Sequence, residues 1–156
     1  GHRRIAYIHE EDDSEVTKQR LTSFYRTLEE LGIEVPDEYV KSSEYLNSVK
    51  AEQFTDELLD MKDAPTCIFY PDDLSNAVRK RGLKVPRDIS TVGYDGIKLS
   101  QMLSPKLTTL RQDTMEIGKK AAKELIAAIE RPKTTLVKRV IVEGTLIEGE
   151  TVRDIS

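Results

Sequence analysis

Residues 81–97 read RGLKVPRDISTVGYDGI, and the order of parts in this stretch decides the fold. Gly82 closes a preceding helical run, Val85-Pro86 opens a turn, DISTVG (88–93) is a β-prone run, and Tyr94-Asp95-Gly96 follows it. A helix that gives way to a buried strand, with a carboxylate set at the strand's carboxyl end, is the unit of an open parallel α/β sheet. Ligands of such sheets gather at the carboxyl ends of the strands, which makes Asp95 a candidate binding group.

Working outward, the same alternation recurs. RRIAYI (3–8) is a short strand that stops at the acidic cluster His9 to Asp13, and Leu21, Phe24, Tyr25, Leu28 and Leu31 then recur at helical spacing. Asp13 or Ser14 can cap that helix and Gly32 can close it. EYVKS (38–42) reads as a strand, and Leu46, Val49, Phe54, Leu58, Leu59 and Met61 as one helix face. TCIFY (66–70) is a buried strand introduced by Pro65, with a third helix from about Asp73 to Arg81. Beyond the opening stretch, LTTLR (107–111) is extended. Asp113 with Glu116 starts a helix whose stripe is Ile117, Ala121, Leu125 and Ile129, ending before Pro132. VKRVIVEG (137–144) reads as the last clear strand, with a weaker one near Leu146 and Ile147. Strands alternating with helices of this length predict right-handed βαβ units, hence an α/β three-layer sandwich with a mostly parallel sheet.

Composition narrows the function classes. A chain of 156 residues suits one core, and 33% charged against 38% hydrophobic residues is the balance of a folded soluble domain. The formal charge of −4 lacks the basic footprint of a nucleic-acid surface. The single cysteine, Cys67, sits in an apolar run and reads as a small buried hydrophobe, so no internal disulfide is expected. Neither a membrane span nor a secretory signal is read in the sequence, and a cytoplasmic setting is expected.

Three carboxylate groups fall on one rim: Glu10 to Asp13, Asp72-Asp73, and Asp95. Arg20 lies four residues after Val16 and four before Phe24, so its long side chain borders the helix's buried stripe and can reach that rim. Carboxylates, one guanidinium and an aromatic ring suit a hydroxyl-rich small molecule, because each hydroxyl both donates and accepts. Simpler roles stand beside this one: Asp13 and Asp73 as helix caps, Arg20 as a surface arginine, Asp95 as an Asx-turn residue. His2 and His9 have no further ligands at metal spacing, so no metal site is expected. No G-x-G-x-x-G, P-loop or G-x-S-x-G is present, and no catalytic residue or cofactor is assigned. The one phosphoryl-transfer alternative is a receiver-like domain, with the acidic cluster holding Mg²⁺ and Asp72 accepting the phosphoryl group. It lacks a lysine at the proper strand end, Lys98 lying three residues too late.

In this order, GHRRIAYI, Arg20-x-x-x-Phe24, PTCIFYPDDL (65–74), RGLKVPRDISTVGYDGIKL (81–99), SPKLTTLRQD (104–113) and IGKKAAKELIAAIE (117–130) closely resemble the carboxyl-terminal part of LacI/GalR-type transcriptional regulators. Residues 9–24 are also similar to AraR-like effector domains. The resemblance covers nearly the whole chain and implies a periplasmic-binding-protein-like type I fold, here its carboxyl-terminal lobe. It implies that Arg20, Asp72 and Asp95 bind a small-molecule effector, a sugar, with Tyr94 and Gln112 beside them. It further implies a homodimer formed through IKLSQMLSP, with Leu99, Met102 and Leu103 at the interface. Pro71 and Gly96 depart from the family, which usually has asparagine and a second aspartate at these positions. The resemblance makes residues 1–156 a single effector-binding fragment of a repressor, lacking the DNA-binding domain and most of the amino-terminal lobe. DNA contact then comes only through the absent reader, no membrane partner is implied, and the helix 114–130 must dock on this lobe or on a second copy.

Overall fold

The computed structural model describes residues 1–11, 14–43, 47–70, 76–134, 136 and 138–156. The elements in chain order are β1 (Ile5–Glu10), α1 (Glu15–Glu30), β2 (Val40–Ser43), α2 (Ser48–Leu59), β3 (Cys67–Phe69), α3 (Asn76–Lys80), β4 (Ser90–Asp95), β5 (Thr108–Arg111), α4 (Thr114–Glu130) and β6 (Thr145–Ile147). They form one six-stranded sheet in the order β2-β1-β3-β4-β5-β6. The first five strands are parallel, and β6 joins antiparallel. The mostly parallel α/β sandwich expected from the alternation is therefore present.

Strand alternation divides the core. Ala6, Ile8, Ile68 and Tyr70 turn to one face and pack with Ala51 and Leu58 of α2 and Val78 of α3. The Tyr70 hydroxyl reaches Thr55 Oγ1 at 2.9 Å, and Thr55 donates to the Ala51 carbonyl, so this buried polar pair is satisfied. On the opposite face Tyr7 stacks on Phe69 at 4.5 Å and meets Phe24 of α1 at 5.1 Å between centroids. Cys67 is buried, and desolvation pushes its thiol up to about 12, in keeping with a packing role.

The termini of α1 follow from single residues. Ser14 Oγ accepts the Thr17 amide at the start. At the end Gly32, with φ of 62°, lets its amide reach Glu29 O while the Ile33 amide reaches Leu28 O, the paired bonds of a Schellman ending. Asp113 likewise caps α4 by accepting the Glu116 amide at 2.9 Å.

Three expectations need correction. EYVKS splits: residues 37–39 are a 3₁₀ turn and the strand begins at Val40. The helix expected through Leu46 starts at Ser48, capped by Asn47, while residues 44–46 lie outside the described residues, as do residues 73–75 of the third helix. VKRVIVEG is not a strand over its described residues 138–144. A strand needs a neighbour's backbone, and β5 gives its free edge to 145–147 instead. The segment 138–142 runs against α4, with Lys138 Nζ 2.9 Å from Glu124 and Val140 and Val142 beside Ile117 and Ala121. The α4 stripe itself buries no residue: Leu125 and Ile129 are 62% and 69% exposed.

Candidate functional site

The site is built where β4 ends. Asp95 is the last residue of that strand and has φ of 77°, left-handed backbone that few residues other than glycine adopt and that Asp tolerates better than most. Gly96 follows at φ of 60°, so two successive left-handed residues turn the chain out of the sheet. The Asp95 carbonyl pairs with the Gln112 amide at 3.4 Å, fixing the exit of β5 beside it.

Three of the expected residues converge on this carboxylate or beside it. Arg20 donates from Nη2 to Asp95 Oδ1 at 3.1 Å, an ion pair whose side chains are 19% and 33% exposed. The Arg20 guanidinium carbon lies 4.0 Å from the centre of the Tyr94 ring, so the cation is held both by its partner and by an aromatic face. Gln112 donates its side-chain amide to the same Asp95 oxygen in a short bond. Arg20, Tyr94, Asp95 and Gln112 thus come together at the end of β4. Asp72 lies outside the described residues, as do Asp12, Asp13 and Asp73.

Below this cluster a cavity of about 530 Å³ runs between α1 and the sheet face that carries Phe69, Tyr94 and Leu110. Arg20, Phe24 and Leu28 form its helix wall and Phe69, Tyr94 and Leu110 its sheet wall. Arg20 is the one charged side chain lining it among the described residues. Phe24, Phe69 and Leu110 were not singled out as site residues, although the period-2 pattern carried the signal: Phe69 faces away from Ile68 and Tyr70, and Leu110 pairs in register with Tyr94.

The histidines are engaged elsewhere. His2 bonds Thr66 Oγ1 at 2.8 Å and the Arg153 carbonyl at 3.1 Å, and His9 Nδ1 bonds the Glu10 carbonyl at 2.8 Å. Among the described residues no three His, Cys, Asp or Glu side chains are grouped to hold a metal ion. Leu99 and Met102 stand exposed, at 55% and 79%, on the 3₁₀ turn 98–101 and the residue after it, while Leu103 is half-buried.

With this geometry in hand, comparison with known proteins is informative. Residues 1–152 match the periplasmic binding protein-like domain family. The HTH-type transcriptional repressor PurR of Aliivibrio salmonicida is 33% identical over 135 residues, covering 83% of this chain and 40% of the relative. Among solved structures, a putative transcriptional regulator LacI from Bacillus cereus subsp. cytotoxis superposes with a TM-score of 0.90 at 31% identity, covering 98% of this chain and 55% of that one. The transcriptional regulator CelR in complex with cellobiose gives a TM-score of 0.86 at 28% identity, covering 97% of this chain and 47% of that one. The chain spans about half the length of the relatives it matches. These matches give the receiver-like phosphoryl-acceptor alternative no support, since they lead to regulators of a different fold. No helix among the described residues is long and apolar enough to cross a membrane. The chain belongs to the periplasmic-binding-protein-like effector domains of LacI/GalR-type transcriptional regulators.

Proposed function

We propose that residues 1–156 are one lobe of the effector-sensing domain of a sugar-responsive transcriptional repressor, working without chemistry of their own. The observation that carries this reading is the Arg20–Asp95 pair at 3.1 Å, set on the Tyr94 ring at the carboxyl rim of a parallel sheet. Such a pair offers donor and acceptor side by side, the combination a hydroxyl group satisfies in full. Asp72 follows β3 in the sequence and joins the same rim in this reading. The cellobiose carried by the CelR relative supports a sugar as the class of guest.

The rest of the repressor lies outside this lobe: a DNA reader and a facing lobe supply operator contact and the other half of the cleft. A guest clamped between lobes shifts the population of two dimer arrangements, one of which spaces the readers for the operator. The dimer forms through Leu99, Met102 and Leu103, two of which stand exposed next to the site-bearing strand. A repressor acts on DNA in the cytoplasm, which sets the location. The test is a thermal-shift screen of sugars against the full-length protein, repeated with Arg20→Ala and Asp95→Ala. A sugar that raises the melting temperature of the unsubstituted protein and of neither variant supports the site. Binding that survives both substitutions removes it.

A further inference from the structure

The end of α1 carries a charge pattern that works against the helix itself. Residues 27–40, TLEELGIEVPDEYV, hold five carboxylates and neither lysine nor arginine, so this short stretch is more negative than the −4 of the whole chain. Glu29 and Glu30 occupy the last turn, where the free carbonyls of the helix already concentrate negative potential, and no basic residue stands in that turn to oppose it. Arg26 answers Glu30 at 3.6 Å, and Arg3 donates to the Gly32 carbonyl at 3.5 Å. Glu29, Glu34, Asp37 and Glu38 form no ion pair with a described residue. A local choice that weakens the fold with no return inside the lobe points to a use outside it.

Inside these carboxylates lies an apolar hollow of about 360 Å³. Left-handed Gly32 turns the chain back, and Ile33, Glu34 and Val35 then line the hollow together with Tyr25 and Glu29 of α1. Ile33 and Val35 are half-buried, and the Tyr25 side chain stays open to a visitor at 38% exposure. Burial, and after it the Asp37 charge, hold the Tyr25 hydroxyl above its ordinary value, which sets a third carboxylate beside the same ring.

The charges select what can cover this hollow. A nucleic acid or an anionic membrane surface is repelled by the rim. The same face of a second copy sets carboxylate against carboxylate, and like charges across an interface are unfavourable. A purely apolar side chain leaves Glu29 and Glu34 stripped of water and unpaired. An arginine or lysine meets both demands: its methylene stem lies on Ile33 and Val35 while its cation rests on the Tyr25 ring and pairs with the two carboxylates.

We propose that the hollow at the carboxyl end of α1 is a docking site for a partner protein, which inserts an arginine or lysine flanked by apolar residues among Tyr25, Glu29, Ile33, Glu34 and Val35. The site lies about 15 Å along the helix from Arg20 and does not depend on what the rim binds.

Fluorescence anisotropy on the full-length protein tests this with three labelled peptides: GLRIRLG, its charge-reversed form GLEIELG, and GSRSRSG, which keeps the arginines and loses the apolar flanks. The first should bind, and the other two at least about tenfold more weakly. The double variant Glu29→Gln with Glu34→Gln should weaken the first peptide at least about tenfold. The double variant Glu143→Gln with Glu148→Gln changes the net charge equally at exposed positions elsewhere and should leave binding unchanged. Circular dichroism checks the fold of both. Equal weakening by the two double variants reduces the effect to net charge and overturns the site. Equal binding of all three peptides, or binding of none up to about 1 mM, also overturns it. Displacement of GLRIRLG by an equal concentration of pentane-1,5-diamine makes this a small-amine site and overturns the docking of a protein.

Discussion

Replacing Asp95 by asparagine, glycine and alanine in turn separates the charge of this residue from its backbone. At 3.1 Å the Arg20–Asp95 attraction is about 5 kcal/mol for an effective dielectric near 20, a gross figure. Both partners retain contact with water, which screens the pair, and desolvation and side-chain ordering reduce its net contribution to about 1 kcal/mol. Asp95→Asn keeps an acceptor for Arg20 and tolerates left-handed backbone, so it should cost about 1 kcal/mol. Asp95→Gly removes both side-chain hydrogen bonds but adopts the φ of 77° freely, for a loss of about 2 kcal/mol. Asp95→Ala removes the same bonds and adds the left-handed penalty of about 1 kcal/mol, for about 3 kcal/mol. With a urea slope near 2 kcal/mol per molar, the midpoints should fall by about 0.5, 1 and 1.5 M in that order. Far-ultraviolet circular dichroism reads the transition. Equal losses for glycine and alanine would refute the backbone part of this reasoning, and losses below about 0.5 kcal/mol for all three would show that the pair contributes nothing to the fold.

Three further outcomes are expected. Leu58→Ala empties a site that is 0% exposed in the α2 face of the core and should cost about 2–5 kcal/mol by urea denaturation. Ser14→Ala removes the cap of α1 and should cost about 1 kcal/mol, with Ser14→Asp restoring most of it. Cys67 should resist alkylation in the folded chain and react once the chain is unfolded in urea. Because burial raises its folded value to about 12 from 9.0, the neutral thiol favours the fold below pH 9, and that contribution drains away as pH climbs towards 12. Cys67→Ala should flatten this alkaline loss, leaving the similar contribution of Tyr7, whose hydroxyl burial also raises to about 12.

The parts of the molecule legible in the sequence are those decided locally. Gly32, Ser14 and Asp113 mark helix ends through bonds to residues a few positions away, and each sits where the sequence predicted. Helical spacing lets Arg20 reach the rim while leaving a surface arginine as the alternative, and the structure sets it on Asp95. What escaped depends on distant neighbours. VKRVIVEG has the composition of a strand, but a strand exists only where a ladder is open, and the edge of β5 is taken by Thr145–Ile147. The α4 stripe has the periodicity of a buried face, yet periodicity specifies which side is apolar and not whether anything covers it. The left-handed turn at Asp95 had no signal beyond the Asp-Gly pair, which suits several turn types equally.

The sparse packing along α4 has a consequence for how the chain breathes. Its 17 residues make it the longest helix among the described residues, but none of them is buried, and its persistence rests on the Asp113 cap, the Glu116–Lys120 and Glu124–Lys138 pairs, the segment 138–142 along one side and intrinsic propensity. A helix so supported is marginal in water. The 12-residue α2, anchored by Ala51, Thr55 and Leu58, should keep its amide protons far longer in deuterated buffer. In this lobe length and endurance run in opposite directions, and the first turns to melt on warming belong to the helix that looks most substantial.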